Sequence, residues 1–407
     1  HFTSVSNIMK VIEPLFLNDL KDKFENARGN HKKLNQLLYR LKNIKIFDPA
    51  CGSGNFLIIA YKELRRLEME IFKEMGSLAL SEISLNQFYG IELDDFAQEI
   101  AILALWLTKH QMNVEFFKEF GRTNPSLPLT DAGNIVQGNA CRLNWEEVCP
   151  KEEDDEIYIL GNPPYLGGKF QSNEQKNDMI NVFSQYSDFK LLDYIACWFY
   201  IGSKYLNNNS SLCFVTTSSV CEGSQVTQLW PKIFKYKTII HFAYSRFKWG
   251  NNAKNAALVE CNIIGLTKRK VKIRNIYTEK TVAKVKSINQ YLKNGSIVYI
   301  YPRKSPISNL PEIITGNNPY EGGHLLLTPE EKNKLIHEDN RIKSFVRRVI
   351  GSNELINNIE RWCIWIPDEE LTKATKIPFL INTIELVKSW RLKGGAVARG
   401  LASKSHR

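Results

Sequence analysis

The chain has 407 residues, more than one ordinary domain holds, so two or three domains are expected. Hydrophobic residues make up 43% and aromatics 11%, enough for packed cores and against disorder. A formal net charge of +11 suits a polyanionic partner, and no run approaches the ~20 apolar residues of a membrane span. Eight cysteines include no Cys-x-x-Cys pair and seven histidines show no ligand spacing. Neither a disulfide framework nor a metal site is expected, and a reducing cytoplasm fits. The chain opens at His1 without Met or a signal-peptide pattern and reads as a piece of a longer polypeptide.

In chain order, Ile44–Phe47 reads as a strand running into the turn Asp48-Pro49-Ala50-Cys51-Gly52-Ser53-Gly54. Phe56, Ile59, Ala60, Leu64, Leu67 and Ile71 then share one helical face. Gln87–Ile91 is the next strand, ending at Glu92, followed by a helix over Phe96–Leu107. Ile135–Val136 precedes Gly138-Asn139, and Ile157–Leu160 ends at Asn162. Leu191–Leu206 reads as helix, and Leu212–Thr216, Ile239–Ala243 and Ala257–Ile264 as buried strands. This alternation predicts an α/β fold with a doubly wound, mostly parallel sheet, whose ligands sit at the carboxyl ends of the strands. After residue 266 a basic run, Lys268–Arg274, opens shorter mixed elements. The expected division is therefore 1–266 and 267–407.

Asp48 to Phe56 sits between a strand and a helix, and its glycines let a ligand approach the backbone. The loop lacks the Gly-Lys-Ser/Thr ending of a phosphate loop and the full G-x-G-x-x-G of a dinucleotide site. Alone it could be an ordinary turn. Glu92, ending the next strand, is placed to accept both ribose hydroxyls of a nucleoside. The loop resembles motif I of class I S-adenosylmethionine methyltransferases, and Gly90-Ile91-Glu92 resembles motif II. His1-Phe2-Thr3-Ser4, with Ile12 and Pro14-Leu15-Phe16, resembles motif X; its place before motif I is the order of the gamma class of amino-methyltransferases. The resemblance implies cofactor contacts from Thr3, Asp48, Ala50, Cys51, Gly52, Ser53, Gly54, Asn55, Phe56, Glu92, Asn139 and Asn162. Asn139 falls where motif III often carries Asp; it can still accept a hydrogen bond from adenine but adds no charge.

Asn162-Pro163-Pro164-Tyr165 is the most informative tetrapeptide. An adenine amino nitrogen is a poor nucleophile because its lone pair is delocalised into the ring. The Asn162 oxygen and the Pro163 carbonyl are candidate acceptors for its two hydrogens, and Pro163 and Pro164 offer no N–H donors. Tyr165 offers a flat face to an extruded base. A cytosine-C5 enzyme would need a nucleophilic Cys after Pro, and no Pro-Cys dipeptide occurs. Cytosine-N4 methylation shares the amino chemistry, though Ser often stands there in place of Asn. Phe247-Lys248-Trp249 resembles motif VIII, which makes Phe247, or else Trp249, the candidate for the second face of the base. A core aromatic is the competing reading.

The longer series resembles the MmeI-like type IIL restriction-modification proteins over nearly the whole chain. It comprises Asn162–Lys169, Leu192-Asp193-Tyr194, Ser211–Ser219 with Gly223 and Gln225, Gly322–Leu327, Phe345–Arg348, Gly351-Ser352 and Arg361–Trp365. That resemblance implies a gamma-class adenine-N6 methyltransferase domain, then a mixed α+β recognition domain for double-stranded DNA. It also implies a nuclease and a helical spacer upstream. Glu174-Gln175-Lys176 has the letters of a nuclease site in the wrong context. Lys268, Arg269, Arg303, Lys304, Arg347 and Arg348 are candidate phosphate contacts. Two other readings stay open: a methyltransferase of RNA or of protein glutamine, and a DNA-binding specificity module without activity.

Overall fold

The computed structural model describes residues 4–76, 80–122, 133–249, 259–303, 305–312 and 320–407, without the side chains of residues 248, 249 and 259. It divides into two compact units, His1–Pro302 and Arg303–Arg407.

The first unit opens with α1 (Val5–Ile12), capped by the Ser4 hydroxyl, then α2 (Asn18–Glu25) and α3 (His31–Asn43). Next come β1 (Lys45–Asp48), α4 (Asn55–Met75), β2 (Phe88–Glu92), α5 (Asp95–Phe120) and β3 (Asn134–Gln137). They are followed by α6 (Trp145–Val148), β4 (Ile157–Gly161), α7 (Asn173–Val182), α8 (Ala196–Tyr205) and β5 (Ser211–Thr217). After α9 (Gly223–Phe234) the chain forms β6 (Ile239–Trp249), β7 (Val259–Thr267), β8 (Arg274–Tyr277) and β9 (Val282–Val285).

All nine of these strands join one sheet in the order β3-β2-β1-β4-β5-β7-β6-β8-β9. From β1 the chain builds outward through β2 and β3, then returns to the other flank of β1 for β4. Both neighbours pair parallel to β1. The winding therefore reverses between β1 and β4, which opens a crevice at their carboxyl ends. Strands covered on both faces read as continuous apolar runs, as Ile157–Leu160 does. One core packs Leu37, Leu57 and Leu105 against the sheet, and the other packs Trp145, Phe199 and Leu229.

The structure differs from the sequence expectation in three places. The helix expected over 96–107 continues to Phe120. The helix expected from 191 begins only at Ala196, because the Asp193 carboxylate accepts the Ile195 N–H and holds that stretch as a turn. The sheet also continues past residue 266. Strand β8 pairs parallel with β6 and then antiparallel with β9, so contacts place the division between Pro302 and Arg303. The basic run marks a crossover rather than a domain edge.

The second unit holds β10 (Leu326–Leu327), α10 (Pro329–Glu338), β11 (Val346–Arg348), α11 (Ser352–Asn357) and β12 (Trp362–Ile364). It closes with α12 (Leu371–Ala374), α13 (Pro378–Lys393) and α14 (Ala396–Gly400). Its three-stranded antiparallel sheet, ordered β10-β12-β11, packs on a core of Leu325, Phe345, Ile366, Leu380 and Val387. The buried Arg391 guanidinium donates to the carbonyls of Tyr320, Leu401, Lys404 and Arg407, tying down the end of the chain.

Helix α4, which leads away from the cofactor loop, carries a buried ion pair. Arg65 Nε lies 3.3 Å from Glu68 Oε2, with both side chains 2% exposed. Arg65 also donates to Tyr61 Oη and to Asn113 Oδ1 on α5, while Glu68 accepts from Ser81 Oγ and the Glu82 N–H. Breaking such a pair from one side strands a buried charge. Glu68→Ala is expected to cost about 3–5 kcal/mol of stability in urea unfolding, and more than the double variant Arg65→Met/Glu68→Leu.

Candidate active site

The site is assembled by strand ends. Asp48 ends β1, Glu92 ends β2, Asn139 lies two residues beyond β3, and Asn162 directly follows β4. Register brings these ends level: Asp48 pairs with Gly90, and Glu92 with Gln137. Backbone bonds lace the loops together, from the Cys51 N–H to the Ile91 carbonyl and from the Gly138 N–H to the Glu92 carbonyl.

The cofactor loop turns sharply into α4. Gly54 occupies the helix N-cap at φ +80°, and a Cβ there would lie 3.3 Å from the Ala101 side chain of α5. Glu92 closes the loop from the neighbouring strand: Oε2 accepts the Gly52 N–H at 2.7 Å and Oε1 the Asp94 N–H at 3.1 Å. Asn55 Nδ2 donates to Ser53 Oγ, and Phe56 is buried on the far side of the helix. Ala50 is half-buried, with its N–H on Asp48 Oδ1. Cys51 is buried against Gly90, and burial pushes its thiol well up, so it packs and does not react.

Asp48 is fully buried, yet its Oδ2 has no hydrogen-bond partner. Burial raises its carboxyl to about 8, partly countered by the Ala50 N–H. The next residue of the crevice explains the glycine before the Asn-Pro-Pro-Tyr loop. Gly161 sits at φ +153°, and a Cβ there would fall 2.4 Å from Asp48 Oδ1. Beyond it, Asn162 Oδ1 is also buried without a partner. Two uncompensated buried oxygens, one on Asp48 and one on the residue after the glycine that Asp48 abuts, form a cradle for a ligand that carries donors or positive charge.

The loop after Asn162 is held from behind. Pro163 is buried and Pro164 exposed. Asp193 Oδ1 accepts the Leu166 N–H at 2.8 Å, and the Tyr194 N–H donates to the Leu166 carbonyl at 3.0 Å. Gln171 Nε2 donates to the carbonyls of Leu166 and Leu192. Tyr165 is half-buried, and burial with Cys261 beside it lifts its hydroxyl to about 12, so it remains a neutral ring.

Other residues singled out from the sequence fall elsewhere. Thr3 and Lys304 lie outside the described residues, as does the Trp249 side chain. Phe247 is buried in the core at 3% exposure, with Lys10 Nζ 4.6 Å from its ring centre. Lys268 and Arg269 are not brought to the site. Strand β7 runs antiparallel to β5 and pairs Thr267 with Ser211, so both residues lie at the opposite end of the strands from Asn162. There Lys268 donates to the Leu206 carbonyl, and Arg269 donates to the Asn209 carbonyl and stacks over Tyr158. In the second unit Arg303, Arg347 and Arg348 are exposed. Arg347 and Arg348 line a cleft of about 740 Å³ with Ile350, Trp365 and Lys404. Glu174 to Lys176 open α7, where Gln175 completes a capping box with Ser172.

Leu93 and Phe96, large apolar side chains, are 65% and 72% exposed just past Glu92. Their place at a helix start, where polar residues are usual, is the signal that marks them in the sequence. Asp193 stood in the quoted series without a role, because its partners lie 27 residues away in the Leu166 region.

Two domain families match the chain: the MmeI DNA-methyltransferase domain over residues 24–278 and the MmeI target recognition domain over residues 294–407. DNA methyltransferase A of Bacillus subtilis strain 168 is 44% identical over 401 residues, covering 97% of this chain and 46% of that protein. The structure of the type IIL restriction-modification enzyme MmeI in complex with DNA superposes with a TM-score of 0.92 at 37% identity. It covers 100% of this chain and 56% of that one. The chain thus spans about half the length of these relatives.

A folded-state carboxyl raised from 3.8 to about 8 makes the folded chain hold a proton that the unfolded chain releases. Stability linked to Asp48 is therefore full below the ordinary carboxyl range and is lost as pH rises toward about 8. Ligand-free Asp48→Asn should melt above the unsubstituted protein at pH 8, with the gap closing toward pH 4. Melting curves across that range check it.

Proposed function

We propose that this chain, which belongs to the MmeI family of DNA methyltransferases, transfers a methyl group from S-adenosylmethionine to the N6 amino group of an adenine flipped out of duplex DNA. The observation that carries this reading is the buried, partnerless Asn162 oxygen at the switch point, on the residue after Gly161, which packs against Asp48, whose Oδ2 is equally partnerless. The donor set fits the cofactor. Glu92 retains lone pairs for the ribose hydroxyls, Leu93 and Phe96 offer apolar faces for adenine, and Asp48 Oδ2 offers an acceptor for the amino-acid end. When bound, the cofactor supplies an electrophilic methyl on a sulfonium.

The chain's own work is to make the amino nitrogen nucleophilic. Asn162 Oδ1 and the Pro163 carbonyl each accept one amino hydrogen, which draws the nitrogen from planar toward tetrahedral and frees its lone pair. Asn162 has no useful basicity, so it positions and polarises but takes no proton; the methyl leaves sulfur as the N–C bond forms, giving S-adenosylhomocysteine, and the proton of the methylated amine passes to water. Tyr165 supplies the stacking face, its hydroxyl kept neutral at working pH. The Asp193 and Tyr194 bonds to Leu166 keep the loop from recoiling when the base enters. Flipping costs a few kcal/mol, which the pocket contacts offset.

Selection of sequence belongs to the second unit, whose exposed Arg347 and Arg348 line its cleft. Arginines reach phosphates and guanine edges alike. The larger polypeptide would carry a nuclease and a helical spacer, and eight unpaired cysteines suit a reducing cytoplasm.

Labelled S-adenosylmethionine offered with duplex DNA, RNA and protein tests the class of substrate. Label confined to adenine N6 of duplex DNA is expected, and label only in RNA or protein would refute the reading. Asn162→Ala should lower methyl transfer by about 10³-fold or more while cofactor affinity, read by calorimetry, changes little. Arg347→Ala and Arg348→Ala should each weaken DNA binding and reduce the slope of log affinity against log salt by about 1, if they meet phosphates. An unchanged slope with lost sequence preference would assign them to bases instead.

A further inference from the structure

Asn139 lacks the negative charge that an Asp at this strand end would bring toward a cofactor adenine. The structure places a carboxylate directly behind it. Asp178, on α7, is 1% exposed, and its Oδ2 accepts from Asn139 Nδ2 at 2.9 Å. The same oxygen accepts from Tyr194 Oη at 2.8 Å, and Oδ1 accepts from Arg142 Nε at 2.6 Å. On its other side Asn139 Oδ1 accepts the Cys141 N–H at 2.8 Å. These partners leave the amide one orientation, with nitrogen to the carboxylate and oxygen to the backbone N–H.

We infer that Asp178 is a positioning residue for cofactor recognition: it locks and polarises the Asn139 amide so that Oδ1 presents its remaining lone pair to the 6-amino group of the cofactor adenine. A hydrogen bond from an amide nitrogen to a carboxylate shifts electron density onto the amide oxygen and strengthens it as an acceptor. Asp178 also reaches the catalytic loop. Tyr194, bound through its hydroxyl to Asp178, holds the Leu166 carbonyl through its backbone N–H. One buried carboxylate therefore braces both the cofactor side and the target side. This inference rests on the proposed methyltransferase function and deepens it.

The test compares binding of S-adenosylhomocysteine with that of S-inosylhomocysteine, which carries an oxo group in place of the 6-amino group. The unsubstituted protein should prefer the adenine compound by about tenfold or more, because the inosine oxygen would face an acceptor. Asp178→Asn should bring that ratio to within about threefold of unity, whereas a purely structural role would weaken both ligands equally. Asn139→Asp alone sets two carboxylates against each other and should weaken S-adenosylhomocysteine by about tenfold or more. The exchanged pair Asn139→Asp/Asp178→Asn restores an amide-to-carboxylate bond between the two positions, with Arg142 still on the amide oxygen, and should recover part of that loss; it serves where Asp178→Asn does not fold. A preserved ratio in Asp178→Asn, or an exchanged pair no better than Asn139→Asp, overturns the assignment of Asp178. If the unsubstituted protein binds neither compound, the methyltransferase reading itself fails.

Discussion

The site depends on the approach of the Asp48 carboxylate to the backbone of Gly161. Parallel pairing of β1 with β4 brings these strand ends together, and only a residue without Cβ fits there. The consequence is a carboxyl group kept out of water with one oxygen unpartnered, near an asparagine whose oxygen is equally unpartnered. Burying polar groups without partners costs stability, so the fold holds this corner at a loss that a bound ligand recovers.

The surrounding structure supplies the stiffness that such a corner needs. The Arg65–Glu68 pair and its bonds to Tyr61 and Asn113 fix α4 against α5, and α4 begins at the cofactor loop. On the target side Asp193, Gln171 and Tyr194 fix the chain after Tyr165. Between them Asp178 touches both halves. Preorganisation of this kind suits the proposed methyl transfer, in which the protein would contribute positioning rather than covalent chemistry.

Charge is divided in a way that composition conceals. The excess of +11 is a property of the whole chain. Part of it, at Lys268 and Arg269, is spent on carbonyls and a tyrosine face at the strand ends opposite Asn162. Arg391 is spent inside the second unit on carbonyls near the end of the chain. What remains outward in that unit includes Arg348, while Arg347, equally exposed, gives its Nη1 to the carbonyls of Ser344 and Val346.

The sequence by itself marked strands alternating with helices, the glycine turn after β1, the strand that ends at Glu92 and the Asn-Pro-Pro-Tyr loop, because each is a local pattern: apolar runs, a glycine turn, a strand ending in a polar residue. Family resemblance carried the recognition half, where local patterns are weak. Tertiary structure alone decided what distance along the chain conceals. It placed Gly161 against Asp48 and set Asp193 behind Leu166. It put Asp178 behind Asn139, buried Phe247, and turned the basic run after residue 266 into a crossover within the sheet. Each of these follows from strand register and burial, which a local pattern does not encode: a carboxylate reads the same in sequence whether it meets water or a neighbouring strand.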